Sequence, residues 1–179
     1  MTFKQPVLQV ALDFVDLSRV QKILDETVAG GVDWIEIGTP LIKSEGLSII
    51  RNLKKKFPNH TFLADMKTMD AGALEVEIAA KAGADIVIIL GVADDSTIRE
   101  AVEAGKRYGA KIMVDMINLD DMISRSVELE KLGADYVCVH VGIDQQMRGM
   151  DPLDVLKKVA EVVHIPVAVA GGINSETAA

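Results

Sequence analysis

The densest chemical signal in the sequence is the run Asp65-Met66-Lys67-Thr68-Met69-Asp70. Asp65 and Lys67 are two apart, so on a β-strand they face the same side, with Asp70 following in the loop. A lysine set among carboxylates can be buried without leaving a charge unpaired. Such a lysine can steady an enediolate oxyanion or deliver a proton, while a neighbouring carboxylate binds a metal. The plain alternative is an ion pair that fixes strand register. Glu36 lies between Ile35 and Ile37, an unusual place for an acid in an apolar strand. Alone it reads equally as a buried, paired acid. Beside Asp65 it becomes a candidate Mg²⁺ ligand, because that ion prefers oxygen donors and keeps several waters. Asp13, after Val10-Ala11-Leu12, can bind a substrate hydroxyl, brace Lys67 or simply end a strand. Asp115 occupies the same kind of position on thinner grounds.

The three histidines separate by position. His60 and His164 precede strand-like runs, whereas His140 ends one, in Val139-His140-Val141-Gly142. With an ordinary pKa near neutrality, a histidine there suits acid–base work. Cys138 sits two residues earlier in a buried run with no basic cluster beside it, and reads as inert packing. The methionines are scattered and read as core filling. Gly171-Gly172, followed by Ile173-Asn174, follows the last strand-like run and precedes a new helix, which suits a phosphate cradle.

These residues need elements to hold them. Hydrophobic residues are 49% of the chain and aromatics 4%, so the core must be Val, Ile, Leu, Ala and Met, as in strands covered on both faces. Candidate strands are Val7–Phe14, Trp34–Pro40, Thr61–Thr68, Ile86–Val92, Lys111–Ile117, Tyr136–Gly142 and Pro166–Ile173. Between them run helical patterns such as Leu17, Val20, Leu24 and Val28. Asp16, Asp94 and Asp151-Pro152 fall where helices should start. Three helix-to-strand joints carry nearly the same text: Gly31-Val32-Asp33, Gly83-Ala84-Asp85 and Gly133-Ala134-Asp135. Glycine can end each helix in a left-handed conformation, and aspartate suits the following turn. The net charge of −8 argues against general nucleic-acid binding but leaves room for one phosphate held locally by backbone N–H groups. The apolar runs are too short to span a membrane, the first residues lack a secretory signal, and one cysteine fits a reducing compartment. The cytoplasm is therefore expected.

Alternating strands and helices leave an open doubly wound sheet or a (β/α)₈ TIM barrel. Asp13, Glu36, Asp65, Lys67, Asp115 and His140 lie toward the C-terminal ends of five different strands, and only a barrel gathers so many ends round one mouth. The α/β barrel is the expected fold. An eighth strand should begin near residue 190, so residues 1–179 are expected to be one barrel domain holding seven of eight strands, truncated before the last.

The wording of these motifs resembles the orotidine 5′-monophosphate decarboxylase superfamily, through its Asp-x-Lys-x-x-Asp signature at Asp65, Lys67 and Asp70. Within it, the chain resembles the 3-hexulose-6-phosphate synthases. That likeness extends to Ala11-Leu12-Asp13, Glu36 through Lys43, and His140 through Gln146. It implies a lyase of the ribulose monophosphate pathway, active in formaldehyde assimilation and carbohydrate metabolism. The implied reaction is a Mg²⁺-dependent, reversible aldol joining of formaldehyde and D-ribulose 5-phosphate to give D-arabino-hex-3-ulose 6-phosphate. The resemblance implies that Glu36 and Asp65 hold the metal, His140 removes the C1 proton, and Lys67 steadies the oxyanion. Asp13 would contact substrate and Lys67, and Asp70 would reach a partner subunit's site in a homodimer. The alternatives are a 3-keto-L-gulonate 6-phosphate decarboxylase and a non-catalytic sugar-phosphate-binding fragment. The first implies an arginine near the histidine, where Val141, Gly142 and Ile143 stand.

Overall fold

The computed structural model of the protein describes residues 6–178. Seven strands occur in chain order: β1 (Gln9–Leu12), β2 (Trp34–Ile37), β3 (Thr61–Thr68), β4 (Ile86–Leu90), β5 (Lys111–Asp115), β6 (Tyr136–His140) and β7 (Val167–Ala170). Every neighbouring pair is parallel and consecutive, from β1 beside β2 through β6 beside β7. Eight helices alternate with them: α1 (Leu17–Ala29), α2 (Thr39–Glu45), α3 (Ser48–Lys56), α4 (Gly72–Ala82), α5 (Asp95–Tyr108), α6 (Met122–Leu132), α7 (Ile143–Gln146) and α8 (Pro152–Ala160). The sheet curls round a common interior, giving the expected barrel architecture with seven strands. Strands β1 and β7 are its two edges.

Alternation along each strand divides the core in two. In β4, Val87 and Ile89 pack outward against the helices, while Ile86 and Ile88 point into the barrel. The inner cluster also holds Leu63, Met113, Tyr136 and Cys138, with Trp34 against Tyr136 in an edge-to-face pair 5.6 Å between centroids. The outer layer is the larger and is almost entirely aliphatic. The cavity inside the sheet is lined by apolar side chains such as Trp34 and Tyr136 at its lower end and by ionisable ones toward the C-terminal ends of the strands.

Most strands are shorter than the sequence predicts, because pairing stops where the C-terminal segments diverge toward the mouth. The helix starts fall where expected. Asp16 accepts from Ser18 N at 2.8 Å, Asp94 from Ser96 N at 2.8 Å and Asp151 from Leu153 N at 2.9 Å. A fourth cap, Asp121 to Ser124 N at 2.9 Å, was not anticipated, though Asp121 three residues before Ser124 carries the signal. In α1, Val20 and Leu24 are buried while Leu17, in the first turn, is exposed. Gly83 and Gly133 end α4 and α6 in the left-handed conformation. The helix expected after Gly172 is, within the described residues, only a turn closed by Ala178 N to Asn174 O at 2.9 Å.

Candidate active site

Six ionisable residues meet at the C-terminal mouth of the barrel. Asp13, Glu36, Asp65, Lys67, Asp115 and His140 all line one cavity of about 900 Å³. Each arrives from the end of a strand, so the site is assembled by β1, β2, β3, β5 and β6 together.

Asp115 is the hub. Its Oδ2 accepts from Lys67 Nζ at 3.0 Å and lies 2.9 Å from His140 Nδ1, while Oδ1 accepts from Ile117 N at 2.8 Å. Burial pushes its carboxyl up, but the bonds and charges of His140 and Lys67 outweigh burial and hold it below the usual range. A charged carboxylate facing Nδ1 makes that nitrogen the donor. In the neutral ring this leaves Nε2 free to accept a proton. The sequence alone gave Asp115 little weight, because a single strand-end aspartate looks like a turn residue until its partners are known.

Lys67 Nζ also lies 3.1 Å from Asp65 Oδ1. Burial lowers the ammonium's pKa, yet Asp115 and Asp65 overcome this and raise it, so Lys67 is a fixed cation. The route by which Lys67 meets Asp65 differs from the simple alternation expected of a strand. Pairing with β4 jumps from Asp65 beside Ile88 to Thr68 beside Ile89, and Lys67 has φ 47°. A bulge in β3 therefore turns the lysine, and positive φ in a long-chain residue is a strain commonly found at functional sites.

Asp65 is 4% exposed and takes a second donor, Thr39 Oγ1, on Oδ2 at 2.7 Å; the same hydroxyl reaches the Asp65 carbonyl at 2.9 Å. Glu36 faces the same interior, hydrogen-bonded by the Gln9 side-chain amide. Burial, followed by the charge of Asp65, pushes Glu36 up to about 8. Asp13 is raised as well, first by burial and then by Asp65. Its carboxylate packs against Gly38, where an added Cβ would come within 2.0 Å of Oδ1. Only glycine fits there, which explains a residue that sequence reading could quote but not interpret.

Asp70 is the exception. It is exposed in the loop before α4 and is not among the cavity-lining residues. Gly171 and Gly172 line the cavity's rim after β7. Cys138 is 7% exposed, and burial pushes its thiol well up, consistent with packing. His60 and His164 precede β3 and β7, at the opposite end from the site.

An α/β barrel with acids, one lysine and an oriented histidine at the C-terminal ends of its strands has the constellation of a barrel enzyme's active site. The family profile described as the orotidine 5′-phosphate decarboxylase / HUMPS family matches residues 6–178, and the chain belongs to that family. It is 44% identical over 171 residues to a 3-hexulose-6-phosphate synthase of Bacillus subtilis, covering 95% of this chain and 81% of the relative. A synthase of the same name from Mycobacterium gastri is 45% identical over 170 residues, covering 95% and 82%. Among solved structures, the 3-hexulose-6-phosphate synthase from Salmonella typhimurium superposes with TM-score 0.90 at 43% identity, covering 96% of this chain and 82% of that one. A 3-keto-L-gulonate-6-phosphate decarboxylase from Vibrio cholerae superposes with TM-score 0.85 at 29% identity, covering 97% and 81%.

Proposed function

We propose that the chain catalyses the reversible aldol joining of formaldehyde and D-ribulose 5-phosphate, with Mg²⁺ as cofactor. The observation that carries this reading is the pairing of an acid cluster, Glu36 and Asp65, with a carboxylate-oriented histidine across one cavity. Relatives at 43–45% identity bear the name 3-hexulose-6-phosphate synthase, and the resemblance of the motifs to that family implies the two substrates.

The donor set fits a hard divalent cation. Glu36 and Asp65 are oxygen donors facing one interior, where Glu36 is raised first by burial and then by the charge of Asp65, so a cation beside it would favour its charged form. Among the described residues, no three His, Cys, Asp or Glu side chains converge as a ready metal cage. Two carboxylates leave positions for water and substrate oxygens, which is how Mg²⁺ is usually held. Bound by Glu36 and Asp65, Mg²⁺ would supply a Lewis acid for the sugar's C2 and C3 oxygens.

The protein groups do the rest. His140, oriented by Asp115, takes the C1 proton on Nε2. Lys67 faces the negative charge that develops as that proton leaves. The C1 carbon then bonds to the formaldehyde carbon, and the formaldehyde oxygen takes a proton from His140. Asp13 binds a substrate hydroxyl, and Gly171 and Gly172 offer backbone N–H groups to the phosphate. Among the described residues, Lys67 is the one Lys or Arg lining the cavity, so nothing supplies the arginine implied by the decarboxylase alternative.

The same reading takes the active form to be a homodimer. Met69, Leu74 and Ile78 are 53%, 60% and 42% exposed beside Asp70, an apolar face on and before α4 that suits a second copy. Among the described residues, no helix is long and apolar enough to cross a membrane. The decisive assay follows ribulose 5-phosphate loss with formaldehyde and Mg²⁺ supplied separately and together. Loss only with both supports the synthase; CO₂ release from 3-keto-L-gulonate 6-phosphate would replace it with the decarboxylase.

A further inference from the structure

We infer that Gln146 is a positioning residue that frees the Gly171-Gly172 backbone to bind the substrate's phosphate. The inference rests on the sugar-phosphate reading above and extends it to a residue with no role in the chemistry. In the parallel ladder between β6 and β7, Val137 N donates to Pro166 O at 3.3 Å and Val141 N to Ala170 O at 3.2 Å. The alternation of such a ladder would next send Gly172 N to Val141 O. That bond is not made. Instead, Gln146 Nε2 donates to Val141 O at 2.8 Å.

The side chain thus takes the acceptor that the ladder would have used. Among the described residues, the N–H groups of Gly171 and Gly172 have no hydrogen-bond acceptor. Both residues have positive φ, 87° and 73°, which glycine adopts without strain, and both line the cavity. Space around the turn is closed on the same side. A Cβ on Gly171 would meet Val141 O at 2.0 Å and Gln146 Nε2 at 3.0 Å, and one on Gly172 would meet Gln146 Oε1 at 3.3 Å. Gln146 also stands between two cavities, lining both the mouth and a smaller one of about 300 Å³ beside α8. Its neighbour Gln145 does something different, accepting from Gly142 N at 3.1 Å at the start of α7.

Gln146→Met keeps the bulk and removes the amide; Gln146→Asn keeps the amide and shortens its reach. Both should remain folded, since the residue is only half-buried. In each, KM for ribulose 5-phosphate and the inhibition constant of inorganic phosphate should rise together by about tenfold, with kcat little changed. Gln145→Leu should change neither constant. Unaltered KM and phosphate inhibition in folded Gln146 variants, or a loss confined to kcat, would overturn the role. The phosphate-induced rise in melting temperature gives a readout independent of turnover. If the wild type fails to condense formaldehyde with ribulose 5-phosphate, the proposed reaction falls while that melting shift still judges Gln146. A wild type with no phosphate shift sinks the Gln146 inference itself.

Discussion

At the N-terminal ends of the strands, Asp33, Asp85 and Asp135 each clamp the neighbouring strand. Their carboxylates accept from Leu8 N, Phe62 N and Ile112 N at 2.9, 2.8 and 2.9 Å. Their own N–H groups donate to the carbonyls of the same three residues at 3.0, 2.9 and 3.0 Å. Lysines complete two of them, Lys54 on Asp85 and Lys111 on Asp135. At the C-terminal ends, acids of the same type turn inward and face one another. Glu36 and Asp13 are raised by burial and by Asp65, which the Gln9 amide and Lys67 offset only in part at Glu36, and Lys67 and His140 only in part at Asp13. One sheet therefore uses carboxylates in two ways. Where backbone donors match the oxygens, the acid builds the fold; where acids crowd in a cavity, the surplus charge awaits a cation or substrate.

Asp65 offers the hardest test of that contrast. Asp65→Asn keeps the shape and the Thr39 bond but removes the charge shared by Lys67 and the candidate metal site. Catalytic efficiency should fall by about 10³-fold or more, and Mg²⁺ should cease to activate. Steady-state rates across a Mg²⁺ titration measure both. Mg²⁺ activation as strong as in the wild type would remove Asp65 from the metal site and weaken the division between the two ends.

The two ends were unequally legible in the sequence. The repeated Gly-x-Asp joints announced the N-terminal end, because a turn and its capping aspartate are local events. What they could not announce was the clamp to the preceding strand, whose partners lie 23 to 25 residues away. At the mouth, Glu36, Asp65, Lys67 and His140 stood out as charges in apolar runs. Asp115 did not, since its importance lies in partners from two other strands, Lys67 and His140. The bulge that turns Lys67 was equally hidden: its cause is a register slip against β4, and strand period alone predicts none.

A second test uses pH. Glu36 titrates near 8 in the fold against an ordinary value of 4.5, so folding favours its protonated form. That contribution is complete below about 4.5 and is lost as pH rises through about 8. Without metal, the melting temperature should therefore fall across this interval, and Glu36→Gln should flatten the fall. Saturating Mg²⁺ should offset the loss at the alkaline end, because the ion requires the deprotonated carboxylate. Thermal melts at several pH values, with and without Mg²⁺, decide it. A metal-free wild-type curve as flat as that of Glu36→Gln would mean that burial and Asp65 do not raise Glu36.

The smallest effect should come from the opposite end. Asp85→Ala removes the acceptor for Phe62 N and the partner of Lys54, leaving one backbone donor at the start of β3 without its bond. Water reaches this end, since the Asp85 side chain is 41% exposed, so the lost bonds are partly replaced. The cost should be about 1–2 kcal/mol, a drop of roughly 3–6 °C in melting temperature for a chain this size. Below that temperature, kcat and Mg²⁺ activation should match the wild type, because no cavity-lining group has moved. A variant that melts normally yet loses Mg²⁺ activation would show that the clamp governs the mouth, and that the two ends are coupled through β3 rather than independent.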